Sequence, residues 1–241
     1  MASDHLTDPG RILFLDIETV PQQRRWEDLD PVTASLFTAK TRTDQERQQK
    51  TAAELYAEKG GILAEFGRVV CIGLGTLHTG ELPRLRVTSY HGHDERELLL
   101  RFCSLMDDHY NSSAHRLCAH NGKEFDFPWL ARRCVIHGIP LPRLLDIGGL
   151  KPWEVGHIDT MQLWSFGDRK AFTSLALLCH VLGIATPKDD ITGADVARVY
   201  YEEDGLERVA DYCKRDVVAT AQVYLRLTGQ PLIAPADITL V

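Results

Sequence analysis

The chain has 241 residues, 44% of them hydrophobic and 25% charged, with a formal net charge of -7, a balance that fits a soluble globular protein with one good core. The charge argues against a broad, non-specific electrostatic grip on nucleic acid, and no apolar run approaches the ~20 residues needed to span a bilayer. The opening ten residues lack the basic and apolar blocks of a signal peptide, and six cysteines without a Cys-x-x-Cys pair argue against a zinc or disulfide framework, so a reduced, cytoplasmic protein is expected.

Arg11 to Ile17 is a nearly unbroken apolar run, too short for most helices and bounded by Gly10 and Val20-Pro21, which predicts a buried central strand. The polar, helix-favouring stretch at about 22–64 reads as a helical insertion. Gly67 to Leu77 and Leu82 to Tyr90 read as two further strands. Asp94 is placed to cap a helix running to about His109, because Leu98, Leu99, Phe102, Leu105 and Met106 recur at helical spacing. Arg116 to Ala119 forms a short strand, and Pro128 leads into a helix over Trp129 to His137. Beyond Leu150 the pattern is mostly helical (Thr160 to Phe166, Thr173 to Leu182, Gly193 to Glu203, Leu206 to Thr228), followed by an extended tail after Gly229. The whole is read as one α/β domain over 1–241, a mixed sheet covered by helices on both faces.

Three distant segments offer carboxylates: Asp16-Ile17-Glu18, Asn121 through Asp126, and Tyr212 through Asp216. In a strand Asp16 and Glu18 project to the same side, at the carboxyl end where open α/β sheets place ligands. In the last helix Leu206, Val209, Cys213, Val217 and Tyr224 form the apolar stripe, with Tyr212 and Asp216 one turn apart beside it. The sequence alone does not bring the three segments together. Were they to converge, charges about 4 Å apart would repel by roughly 4 kcal/mol at an effective dielectric near 20, so the cluster would take up protons or require cations. Ligation by oxygen alone selects Mg2+ or Mn2+ over zinc, and two such ions support phosphodiester hydrolysis.

On these residues the chain resembles the DEDD superfamily of 3'-5' exonucleases, and its Tyr-x-x-x-Asp motif the DEDDy branch; it is most similar to the stand-alone group related to the proofreading domain of family B DNA polymerases. The resemblance runs from about Ile12 to Leu227. It implies a ribonuclease H-like fold in which Asp16, Glu18 and Asp216 hold the ion that activates water, Asp16 and Asp126 hold a second, and Tyr212 positions the nucleophile. Thr19 would lie beside the scissile end, Asn121 and Phe125 would flank the terminal nucleotide or support Asp126, and Lys188 would bring an ammonium near the metals. The implied substrate is the 3' end of single-stranded DNA, with release of mononucleotides.

Bland readings accompany other features. His91-Gly92-His93 reads as a surface turn rather than a metal pair. Gly73-Leu74-Gly75 reads as close backbone packing within a strand. Asp159 reads either as a helix cap or as support for the site, and core packing is the default for Trp26, Trp129, Trp153 and Trp164. Two alternative functions stand beside the first: an RNA 3'-5' exonuclease on the same fold, and a non-catalytic nucleic-acid-binding module.

Overall fold

The computed structural model describes residues 8–80, 82–151, 153–168, 172–185 and 191–241. Lys188 lies outside the described residues. The strands are β1 (Ile12–Pro21), β2 (Gly67–His78), β3 (Arg84–His91), β4 (Arg116–Ala119), β5 (Ile158–Asp159) and β6 (Ile238–Leu240). The helices are α1 (Pro31–Gln48), α2 (Ala52–Lys59), α3 (Glu95–His109), α4 (Asp126–Ile136), α5 (Thr160–Ser165), α6 (Leu175–Val181), α7 (Val196–Glu202) and α8 (Leu206–Leu227). None of the described helices is long and apolar enough to cross a membrane.

The strands form one mixed sheet in the order β5-β4-β1-β2-β3-β6. β1 and β3 run antiparallel to β2, whereas β1–β4, β4–β5 and β3–β6 are parallel pairs. The apolar start of β1 is buried on both faces because each face is covered. Leu13, Leu15 and Ile17 pack with residues of α3 and α4, while Ile12 and Phe14 pack under Val217, Ala221 and Tyr224 of α8. The alternation that sends Leu13, Leu15 and Ile17 one way sends Asp16 and Glu18 the other, toward α8. This is the α/β, ribonuclease H-like arrangement expected from the motifs.

Local signals set most element ends. Asp94 caps α3 by accepting the Glu97 N–H at 3.1 Å, and Asp30 caps α1 ahead of Pro31. Residues 31–59 form α1 and α2, with Phe37, Leu55, Tyr56 and Phe66 as a small core of their own. Buried Glu95 links α3 to Arg133 of α4 at 2.9 Å and to the Val69 N–H of β2 at 2.8 Å.

Some expectations needed correction. α4 begins at Asp126, not Trp129. Pro128 occupies the third helical position, where an amide would have no intrahelical acceptor. The tail is extended at its end but not throughout: a 3-10 turn at Pro235–Asp237 interrupts it, and β6 then pairs with β3 at the sheet edge. Trp153 is 76% exposed rather than core.

Candidate active site

β4 pairs with β1 only at Ile12–Phe14, so on that side β1 runs on past its neighbour. The chain leaving β4 turns back through His120 to Phe125 and brings Asp126 to the open edge. There the Asp126 carboxylate comes under the lowering influence of the N–H of Ile17, the residue between Asp16 and Glu18, and of its own N–H. The turn is tight. Asn121 is left-handed at φ 63° and its carbonyl accepts the Phe125 N–H at 3.0 Å. A Cβ on Gly122 would stand 2.4 Å from the Ala119 Cβ, so a side chain there has no room.

Asp159 holds this turn from the end of β5. Its Oδ1 accepts the N–H of Asn121 at 3.0 Å and its Oδ2 that of Lys123 at 3.1 Å. The same Oδ1 caps α5 through Met161 and Gln162. Both readings of Asp159 therefore hold at once, and the support acts through the backbone leading to Asp126. His120, which the sequence did not single out, stitches the next layer. Its Nδ1 accepts from the Thr160 hydroxyl and its Nε2–H donates to the Thr173 carbonyl, each at 2.9 Å. Burial lowers the His120 pKa, which favours the neutral ring that this pair of bonds requires.

The third segment arrives on α8. The helix approaches β2 where the strand has no side chains: a Cβ on Gly73 would lie 2.8 Å from both Cys213 Sγ and Val217 Cγ2, and one on Gly75 would lie 2.7 Å from Val217 Cγ1. The Cys213 thiol donates to the Asp16 carbonyl at 3.4 Å. With Cys213 seated on β1 in this way, Tyr212 and Asp216 flank it on the helix, both half-buried.

The four acids share one electrostatic environment. Burial, then the charges of Glu18, Asp216 and Asp126, pushes the Asp16 pKa well above the carboxylate range. Burial, then Cys71, Asp216 and Asp126, does the same to Glu18, which is 7% exposed. Asp126 is pushed up to about 7, chiefly by burial. The Tyr212 phenol is pushed up by burial and by Asp216, Glu18 and Asp16, so it stays protonated. Asp16 Oδ2 is buried without a hydrogen-bond partner, and one ligand atom each of Asp16, Glu18 and Cys213 lies within 4.8 Å of the other two. A buried acceptor without a donor, among carboxylates that repel one another, fits either a divalent cation or carboxyls that hold protons until one binds.

The remaining sequence candidates divide. Thr19 is half-buried just past a bulge between it and Glu18. Phe125 packs against the α3–α4 core, in a supporting position. His91 and His93 do not form a pair; they bond separately to Glu207 at 3.1 Å and to the Tyr200 hydroxyl at 2.7 Å.

Comparison with known proteins gives four findings. Residues 62–230 match a family described as predicted 3'-5' exonucleases related to the exonuclease domain of PolB. The matched span contains Asp126, Tyr212 and Asp216, while Asp16 and Glu18 precede it. A DNA polymerase from Pyrococcus glycovorans is 25% identical over 175 residues, which is 63% of this chain and 21% of the polymerase. An uncharacterized protein from Methanocaldococcus jannaschii is 29% identical over 118 residues, which is 46% of this chain and 63% of that protein. The chain thus spans only about a fifth of the polymerase and less than two thirds of the second relative. The family B DNA polymerase of Pyrobaculum calidifontis superposes with a TM-score of 0.54 at 16% identity, over 94% of this chain and 26% of that one, a likeness of fold.

Proposed function

Because the chain belongs to the family of predicted 3'-5' exonucleases related to the exonuclease domain of PolB, we propose that it hydrolyses phosphodiester bonds at the 3' end of single-stranded DNA and releases nucleoside monophosphates. The observation that carries this reading is the pair Asp16 and Glu18 with its orphaned carboxylate oxygen, on which the charges of Asp126 and Asp216 act from α4 and α8. The DNA polymerases among the relatives support DNA as the substrate.

In this reading Asp16, Glu18 and Asp216 hold one divalent ion and Asp16 and Asp126 a second, either Mg2+ or Mn2+. Such an ion pair supplies a hydroxide nucleophile at neutral pH and stabilises the leaving oxygen. The protein's own residues do the positioning. The Tyr212 phenol, kept protonated by burial and the charge of Asp216, would offer its oxygen as an acceptor for a proton of the attacking water and so orient the nucleophile. Sequence-independent contact with the strand suits an enzyme that removes any base.

The test is a release assay on 5'-labelled DNA and RNA strands with Mn2+. The wild type is expected to ladder DNA, Asp16→Ala and Asp216→Ala to give no ladder while remaining folded, and Tyr212→Phe to slow release by roughly 100-fold. Full activity in Asp16→Ala would overturn the mechanism, and laddering of RNA alone would move the substrate to RNA. Strand binding without release would leave a binding module.

A further inference from the structure

Cations gather beyond the end of β1. A cleft of about 560 Å³ opens there, lined by Gln22 and Gln23 just past the strand, Arg68 of β2, His93 and Arg96 around the start of α3, and His137 after α4. The two acids in its wall are already engaged. Asp94 caps α3, and Glu95 holds Arg133, His137 and the Val69 N–H at 2.9, 2.7 and 2.8 Å. Arg68 has no such partner. Its Nη2 donates to the Tyr200 hydroxyl at 2.7 Å, and its guanidinium carbon stands 5.4 Å and 5.8 Å from the ring centres of Tyr200 and Tyr201. Among the described residues no carboxylate lies within ion-pair distance of it, and its buried Nε has no acceptor. A half-buried guanidinium without a counter-charge carries a desolvation cost that a bound anion offsets.

Two neighbours add donors. The Arg68 bond takes a lone pair of the Tyr200 oxygen, so the hydroxyl hydrogen is available to His93 Nδ1, 2.7 Å away. That pairing leaves Nε2 as the N–H donor of a ring that lines the cleft. The 15-residue α3 contributes its own N-terminus, where the amides of Glu95 and Arg96 have no intrahelical acceptor. We propose that Arg68, Arg96 and His93 form a phosphate-binding site, which in the nuclease takes a backbone phosphate of the bound strand upstream of its 3' end. A guanidinium fork beside helix amides suits a phosphate group. Glu18 and Gln22 are four residues apart along one extended segment, about 13 Å at 3.3 Å per residue, which matches the rise of about four stacked nucleotides at 3.4 Å each. The need for such a site follows from charge: with a net charge of -7 and carboxylates at the reacting end, a polyanionic strand requires fixed cations elsewhere along its path.

Phosphate binding by the cleft is independent of the proposed activity; the strand as the source of the phosphate rests on it. The experiment measures the affinity of the full-length protein for a short labelled single strand of DNA, in chelator to prevent release, over a range of NaCl concentrations. Arg68→Gln is expected to weaken binding roughly fivefold to tenfold and to lower the salt slope by about 0.7. With Mn2+ the same variant is expected to raise KM and leave kcat unchanged. Arg86→Gln, exposed on β3 and outside the cleft wall, removes the same charge and is expected to behave as wild type. Should Arg68→Gln not fold, exposed Arg96→Gln decides, with an expected loss of roughly threefold. Inorganic phosphate separates the two sources of the group. A rise in Tm with phosphate that Arg68→Gln abolishes, at unchanged strand affinity, assigns the cleft to free phosphate; weaker strand binding without that rise assigns it to the backbone. Strand affinity and phosphate response that are equal in Arg68→Gln and Arg86→Gln overturn the proposal. Arg68-dependent strand binding in a protein that ladders no DNA sinks the nuclease reading and leaves the site standing; laddering with equal KM in the two variants and no phosphate response does the reverse.

Discussion

The replacement Asp126→Asn separates the electrostatic cost of the candidate site from its use. The Asp126 carboxyl is 4% exposed and is pushed from an ordinary 3.8 up to about 7, by burial first and by the charge of Asp159, against the lowering effect of its own N–H and that of Ile17. Between those two values the folded protein keeps a proton that the unfolded chain has lost. The stability held below pH 4 is therefore lost as pH rises through about 7. At ~1.4 kcal/mol for each unit, the full loss is ~4 kcal/mol for the metal-free protein. Asparagine keeps an acceptor for the Ile17 N–H and never ionises, but it adds an amide N–H with no assigned acceptor, at a cost of ~1–2 kcal/mol. Asp126→Asn should then stabilise the metal-free protein by ~2–3 kcal/mol at pH 8, or roughly 5–10 °C in Tm, and give no gain at pH 5. With Mn2+ at about 100 times the dissociation constant of the second ion, the one Asp126 would hold, the wild type gains ~2.7 kcal/mol that the variant does not, which cancels or reverses the order. Thermal melts at pH 5 to 8, with chelator and with Mn2+, read all of this. A Tm gap that does not change with pH, or a variant that melts below the wild type at pH 8 in chelator, would refute the electrostatic account of the site.

Two further substitutions test how the fold positions these groups. Gly73→Ala would drive its Cβ to 2.8 Å from Cys213 Sγ and Val217 Cγ2; it should cost ~1–3 kcal/mol in a denaturant melt and reduce DNA laddering in the still-folded protein, because α8 carries Tyr212 and Asp216 away with it. Gly80→Ala, with open space around it, is the neutral comparison, and unchanged laddering in Gly73→Ala would count against the role given to the helix approach. Asp159→Ala removes the bonds to Asn121 and Lys123 and the cap of α5, with an expected loss of ~2–3 kcal/mol in urea midpoint stability. Asp159→Asn keeps the three Oδ1 bonds and should lose only ~1 kcal/mol; equal losses would argue against the shared bracing.

Much of the scaffold was legible because the chain itself carries the signal. An apolar run ending in two acids two residues apart marks β1, Asp94 before an apolar helical stripe marks the start of α3, and the stripe through Val209, Cys213 and Val217 sets Tyr212 and Asp216 beside it. β5 and β6 were not legible, since strands of two and three residues have no periodicity and exist only because β4 and β3 offer them an edge. The bond between His120 and Thr173, and that between the Cys213 thiol and the Asp16 carbonyl, were equally hidden. Each links residues that nothing in their local pattern connects.

By itself, then, the sequence determined the longer strands and helices, and which acids stand at the ends or edges of them. Only the tertiary structure decided that those acids meet. The pairing of β4 with β1 ends at Phe14 and leaves the Ile17 amide for Asp126, while two glycines in β2 admit α8 closely enough for Asp216 to act on Asp16. Local periodicity is a property of neighbouring residues, but convergence depends on strand order and on how near two backbones can approach.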